Sequence, residues 1–176
     1  MAVMLCPAWS AATAGCGSAQ RHSRFGSSRD GTMMYMIDKA SPKQLLNSLR
    51  LYATVKQQVF DGQDLASLRP RQLWFVRCSF VGVDLRHSVL DGCSFKLCDL
   101  SMAHLRGASL RGVSLAGCNL RAADLRDTDL TAAQFSSVNT GTPPHGLTDV
   151  TDAKFDNAIT RDMQLEQIIG IPSWNI

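Results

Sequence analysis

The sequence has no long hydrophobic run, so nothing in its 176 residues approaches the ~20 apolar residues of a membrane-spanning helix. Its four histidines are not spaced as a metal pair. No glycine-rich loop of the phosphate-cradling kind is present, and no nucleophile motif appears. The aspartates recur with a fixed rhythm, as solvated positions of a pattern rather than as an acid/base pair. Together these absences leave no membrane-spanning helix, metal pair, phosphate-cradling loop or catalytic constellation legible in the sequence. Acid is also missing locally. Residues 1–36 hold a single acidic residue, Asp30, beside Arg21, Arg24 and Arg29. Residues 58–160 hold eleven Asp and ten Lys/Arg, so the formal net charge of +3 comes from the N-terminal segment. No basic stripe with interleaved aromatics marks a nucleic-acid surface.

What is present is a beat of five. Leu or Phe stands at every fifth position from Phe75 to Phe135, through Phe80, Leu85, Leu90, Phe95, Leu100, Leu105, Leu110, Leu115, Leu120, Leu125 and Leu130. On an α-helix, steps of five advance about 140° modulo a turn and smear the bulky residues over every face. On a flat strand they alternate sides, so half point away from any core. The chain must therefore turn once per unit, which is the mark of a solenoid.

Each unit has the same grammar. Two residues before the centre sits a compact residue such as Cys78, Val83, Ser88, Cys98, Ala103 or Cys118. Second neighbours share a face of an extended segment, so this residue and the centre both point inward. Asp, Asn or Ser commonly precedes the centre, as at Asp84, Asp99, Asn119 and Asp124. Glycine recurs two residues after it, at Gly82, Gly92, Gly107, Gly112 and Gly117, where a corner needs unusual backbone angles.

The run CNLRAADLRDTDLTAAQF, residues 118–135, resembles the A-(D/N)-L-x-x unit of the pentapeptide-repeat family. The resemblance covers roughly residues 58–160. It implies an all-β solenoid: a right-handed, four-sided parallel β-helix with one unit per face and four per coil. About five coils are expected, with short capping helices at the N- and C-terminal ends. Residues twenty apart should then stack. That arithmetic places Phe75, Phe95, Leu115, Phe135 and Phe155 in one inner column, and Cys78, Cys98 and Cys118 in another. Thiols projecting in parallel do not converge on a metal, and no histidine is in phase with them, so they read as compact core filler. No cofactor is implied. Cysteine used this way also points to a reducing compartment.

Outside the repeat, the chain divides into residues 1–36, 37–57 and 161–176. The first segment reads as a disordered leader or upstream start with Met33, Met34 or Met36 beginning the protein, as a transit peptide, or as a lipoprotein signal ending at Cys16. These alternatives set the expected location: cytoplasmic, or else secreted, organelle-targeted or lipid-anchored. Ser41 and Pro42 suit the start of a helix, and Leu45, Leu46, Leu49, Tyr52 and Val55 follow at helical spacing, which predicts a cap running to about Gln58. Thr160 opens a second expected helix, stopped at Gly170. The apolar tail after it either covers the last coil or pairs two copies, because some family members dimerise through this end. Residues 139–147 break the beat as a protruding loop or as two degenerate faces.

Two surfaces stand out. Arg86, Arg106 and Arg126 fall in one outer column, with Arg111 and Arg121 on adjoining faces. They form either a ladder neutralised by nearby Asp or a docking stripe for an anionic partner. The loop residues Thr142, Pro143, Pro144 and His145 are a second candidate for recognition. The resemblance and the missing chemistry together imply a non-enzymatic protein–protein interaction scaffold whose partner is unknown. The family's other roles imply two alternatives: a DNA mimic that binds gyrase, or a secreted or membrane-directed bacterial effector. The DNA mimic calls for a strongly acidic surface, which the balanced charge does not provide.

Overall fold

The structure is a computed structural model that describes the backbone of Ala2–Val3 and residues 41–141 and 146–170. The described elements are β1 (Ala2–Val3), α1 (Pro42–Ser48), β2 (Thr54–Lys56), β3 (Trp74–Val76), β4 (Ser94–Lys96), β5 (Ser114–Ala116), β6 (Gln134–Ser136), β7 (Thr148–Asp149), β8 (Gln164–Leu165) and β9 (Ile168–Ile169). Strands β1, β2, β3, β4, β5, β6 and β8 form one parallel sheet in that order. The chain is a parallel β-solenoid of about 6 turns. Its register is the one the beat demands, with Phe75 beside Phe95, Phe95 beside Leu115, and Leu115 beside Phe135.

Apart from the short pair β7–β9, which continues the second face, regular strands lie on this first face. The other three are ladders of single bridges: Val59, Ser79, Asp99, Asn119 and Asp149 on the second; Asp64, Asp84, His104, Asp124 and Lys154 on the third; Val89, Ser109, Asp129 and Ile159 on the fourth. Between coils the amides alternate direction. Asp84 N–H donates back to Gln63 C=O at 2.9 Å, and Leu85 N–H donates forward to His104 C=O at 2.8 Å. Each coil therefore satisfies its backbone on its neighbours. Two residues after most centres the chain turns the corner in left-handed backbone, for example at Arg77 with φ 53° and Gly112 with φ 59°.

The interior is a narrow stack of large and small side chains. Leu85, Leu100, Leu110 and Leu120 are at most 3% exposed, and so are Val83, Ala103, Ala108 and Cys118. Phe75 stacks on Phe95 with centroids 4.8 Å apart, and Phe60 stacks on Phe80 at 4.9 Å. The cysteine column is also a hydrogen-bond column. Cys78, Cys98 and Cys118 donate to the carbonyls of Val55, Phe75 and Phe95 at 3.5, 3.5 and 3.3 Å. A neighbouring thiol and burial push Cys98 up to about 12, and burial pushes Cys93 up to about 11. These thiols stay protonated and act as small core groups.

Three expectations require correction. The N-terminal helix ends at Ser48, with Leu49 already extended at ψ 149°. Val55 belongs to β2, in register with Phe75, because the five-residue phase continues one unit further upstream than the helical spacing suggested. Among the described residues no C-terminal helix forms: β8 and β9 lie where it was expected, on residues that keep the same phase. The last correction concerns Phe155. The stacking interval changes from twenty residues to thirty after β6, since Phe135 pairs with Leu165 and Asn119 with Asp149. Ten residues therefore leave the coil between β6 and β7, a number that preserves the phase of five and breaks the phase of twenty. Phe155 is half-buried in the column of Leu125, and Leu165 takes the place assigned to it.

The base of this excursion is tightly built. Val138 N–H donates to Gly146 C=O at 2.6 Å. Gly146 has φ +89°, and a Cβ there would strike the Val138 carbonyl, so no other residue fits without moving the chain. Thr148 is wholly buried and continues the cysteine column. Its hydroxyl donates to Leu115 C=O at 3.0 Å, as the thiols do one coil earlier.

The N-terminal end is closed from two sides. Leu46 of α1 is buried on the core, and Ser41 and Gln44 cap the helix reciprocally. Lys43 donates to the Ala66 carbonyl, and Asn47 accepts from Arg69 N–H at 2.9 Å, which pins the helix to the first coil. Ala2–Val3 then pair with Thr54 and Val55 at the sheet edge. The rest of residues 1–36, and with it the choice among their readings, lies outside the described residues.

Candidate interaction surface

The residue before the centre explains the corners of the second and third faces. An Asp or Asn there accepts from the backbone N–H two positions on. Asp64 accepts from Ala66, Asp99 from Ser101 and Asp149 from Thr151, at 3.0, 2.9 and 2.9 Å. This local bond fixes the corner, and it is why acids recur in the pattern. The same carboxylates hold the arginine column. Asp84 accepts Arg86 Nε at 3.0 Å on Oδ1 and Nη2 at 2.6 Å on Oδ2. Asp124 holds Arg126 in the same two-pronged way, at 2.8 and 2.7 Å. In the coil between them His104 stands where the acid would be, and Arg106 turns to Asp127 of the next coil at 2.8 Å.

Arg111 and Arg121 also have partners, Asp129 at 3.8 Å and Asp149 at 3.4 Å. All five arginines of the expected stripe thus sit in ion pairs. The guanidinium of Arg126 pulls the Asp124 carboxyl down to about 2, and Arg86 lowers Asp84 in the same manner. The stripe is a set of internally neutralised clamps. The candidate loop residues Thr142, Pro143, Pro144 and His145 lie outside the described residues. Among the described residues no three His, Cys, Asp or Glu converge as metal ligands. No helix among them is long and apolar enough to cross a membrane.

Sequence reasoning missed the first face. Trp74 occupies the outward position that Asp, Asn or Ser usually fills, and it is 49% exposed beside Tyr52 at 55%. Their rings lie 6.2 Å apart. The aromatic at that position was the available signal. Tyr52 hid because it also fitted a helical spacing.

The fold and its columns define a repeat rod of stacked five-residue units. A family model for pentapeptide repeats, in 8 copies, matches residues 78–115 and 103–139. Residues 78–139 are thus built of pentapeptide repeats. Among solved structures, the chain is similar to the pentapeptide-repeat protein Rfr23 from the cyanobacterium Cyanothece 51142, at 13% identity and TM-score 0.59, over 66% of this chain and 87% of that one. It is also similar to HetL, involved in heterocyst differentiation regulation in Nostoc sp. strain PCC 7120, at 22% identity and TM-score 0.47, over 64% of this chain and 46% of that one. QnrB1, a plasmid-mediated fluoroquinolone resistance protein, follows at 19% identity and TM-score 0.41, over 62% of this chain and 70% of that one. These likenesses concern the fold alone. No curated protein matches the sequence.

Proposed function

We propose that this chain is a non-enzymatic protein–protein interaction scaffold. One observation carries the reading: outward side chains are held in columns by a coil-to-coil hydrogen-bond ladder, while the thiols are spent inside as core. Such a rod presents side chains about 4.8 Å apart along each face, with little conformational entropy left to lose on binding. The acids support this over a DNA mimic, because Asp84, Asp124, Asp127, Asp129 and Asp149 are engaged by arginine.

The test is affinity capture from the native cell with the intact chain and with a Leu115→Asp variant, followed by calorimetry with the purified captured protein. The reading expects a protein bound stoichiometrically by the intact rod only. Equal capture by both, or chemical turnover of the captured protein, would contradict it.

Self-association through the C-terminal end belongs to the same proposal. Leu165 and Ile169 are each 39% exposed there, beside half-buried Phe155 and Met163. Sedimentation equilibrium should show a dimer that Leu165→Glu dissociates; a monomer at all concentrations would remove this contact.

A further inference from the structure

We infer that the N-terminal half of the first face docks an acidic protein segment that also carries leucine or aromatic side chains. This rests on the scaffold reading and identifies its contact surface.

The register places the parts. Lys56, Val76 and Lys96 are consecutive rungs of one outward column. Trp74 stands on the same strand as Val76, and Arg77 at the corner beyond it. Tyr52 adds its ring, and Leu51 beside it is 52% exposed. Lys56, Arg77 and Lys96 are exposed, and none belongs to an ion pair among the described residues. No acid occupies an outward position of this face from Thr54 through Ser137; the first is Glu166 in the last coil. The charge of the third face is therefore cancelled within the rod, whereas that of the first face is left open.

The chemistry of the patch selects its occupant. Exposed Trp and Tyr are the residues most often found as anchors at protein interfaces, because they bury a large area at small entropic cost. Unpaired cations around them call for carboxylates on the partner, which steer the encounter and fix its orientation. The cations also stop after Lys96, where Ala116, Gly117 and Ser136 follow. A single-stranded nucleic acid needs a basic groove that tracks its backbone. This patch is compact, three coils deep, and suits a short peptide segment.

The experiment measures fluorescence anisotropy on the full chain with a fluorescein-labelled peptide alternating Glu with Leu and Phe. Its Lys-for-Glu counterpart, an oligo-dT strand and vesicles containing anionic phospholipid serve as the other probes. The acidic peptide should bind, more weakly at high salt. The K56E/R77E/K96E variant should weaken binding about tenfold or more, and Trp74→Ala should weaken it without changing the salt dependence. The R86S/R106S/R126S variant should stay within about twofold, since those arginines are already paired. All these positions are solvent-facing, and thermal melts confirm that each variant folds.

Unchanged affinity in K56E/R77E/K96E would overturn the inference, as would no binding of the acidic peptide, or tighter binding of the oligonucleotide or the vesicles. A partner captured from cells whose binding ignores K56E/R77E/K96E would sink this surface and leave the scaffold reading standing.

Discussion

The two ends of the rod obey one sequence grammar and meet different fates. At the N-terminal end the first centres are sealed: Val55 is 0% exposed and Phe60 4%. At the C-terminal end Phe155, Ala158 and Met163 are only partly buried and Leu165 is 39% exposed. The difference is the neighbour. The first coil has α1 and a following coil on its two sides, whereas among the described residues the last coil meets a coil on one side only. Burial in a solenoid is therefore a property of stacking, and a perfect unit without a neighbour remains a surface. In the proposed self-association, the open apolar end is the one that pairs.

The largest test of this contrast places a charge at equivalent positions. Leu115→Asp buries an unpaired carboxylate in the middle of the stack and should abolish folding, read by circular dichroism. Leu165→Asp, in the same column at the open end, should leave a cooperative melt close to that of the parent. Equal tolerance would mean that the inward assignment is wrong.

A cavity at each end is the next comparison. Leu46→Ala should cost about 2–5 kcal/mol in urea titrations, because the site is fully enclosed. Phe155→Ala should cost less despite removing a larger group, because that side chain is only partly buried. A larger loss at Phe155 would show that the C-terminal end is better packed than its exposure indicates.

Acid provides a smaller effect, on the third face. Asp124 titrates at about 2 in the fold against an ordinary 3.8. A carboxylate held below its unfolded value stabilises the fold above that value and loses the contribution as pH falls through the folded one. Stability should therefore decline between about pH 4 and pH 2, and Asp124→Asn should remove part of the decline while keeping the corner acceptor. An identical pH profile in the variant would show that the clamp is not formed in solution. Smallest of all, Arg111→Ser should change stability by about 0.5 kcal/mol or less, since its contact with Asp129 is long and exposed. A larger change would give the ion pairs a structural weight denied to them here.

The middle of the rod was legible because every unit from Phe75 to Phe135 obeys one rule and no other regular element satisfies it. The ends were not, because short stretches satisfy two rules at once. Leu46, Leu49, Tyr52 and Val55 fit a helical stripe, yet Val55 also falls in the phase of five, and the cross-strand bonds of a coil outweigh one more helical turn. Phe155 was misplaced because an excursion of ten residues is silent in a period of five; stacking partners such as Asp124 and Lys154 reveal it. The arginine column was visible in the sequence, and its pairing with Asp84 and Asp124 was half visible. Arg106 reaching to Asp127 of the next coil was not, since that bond depends on His104 withholding an acceptor. The open cations around Trp74 could be recognised only by subtraction, once the paired ones were known.

The central claim is that stacking, more than unit sequence, determines what is core and what is surface. Native-state hydrogen exchange resolved to single amides tests it most directly. The account predicts the greatest protection, set by global unfolding, at Leu100, Leu105 and Leu110, whose N–H groups bond across central coils at 2.7, 2.8 and 2.8 Å. It predicts protection falling steadily through residues 150–165. Uniform protection from Phe80 to Leu165, or fastest exchange in the central coils, would contradict it.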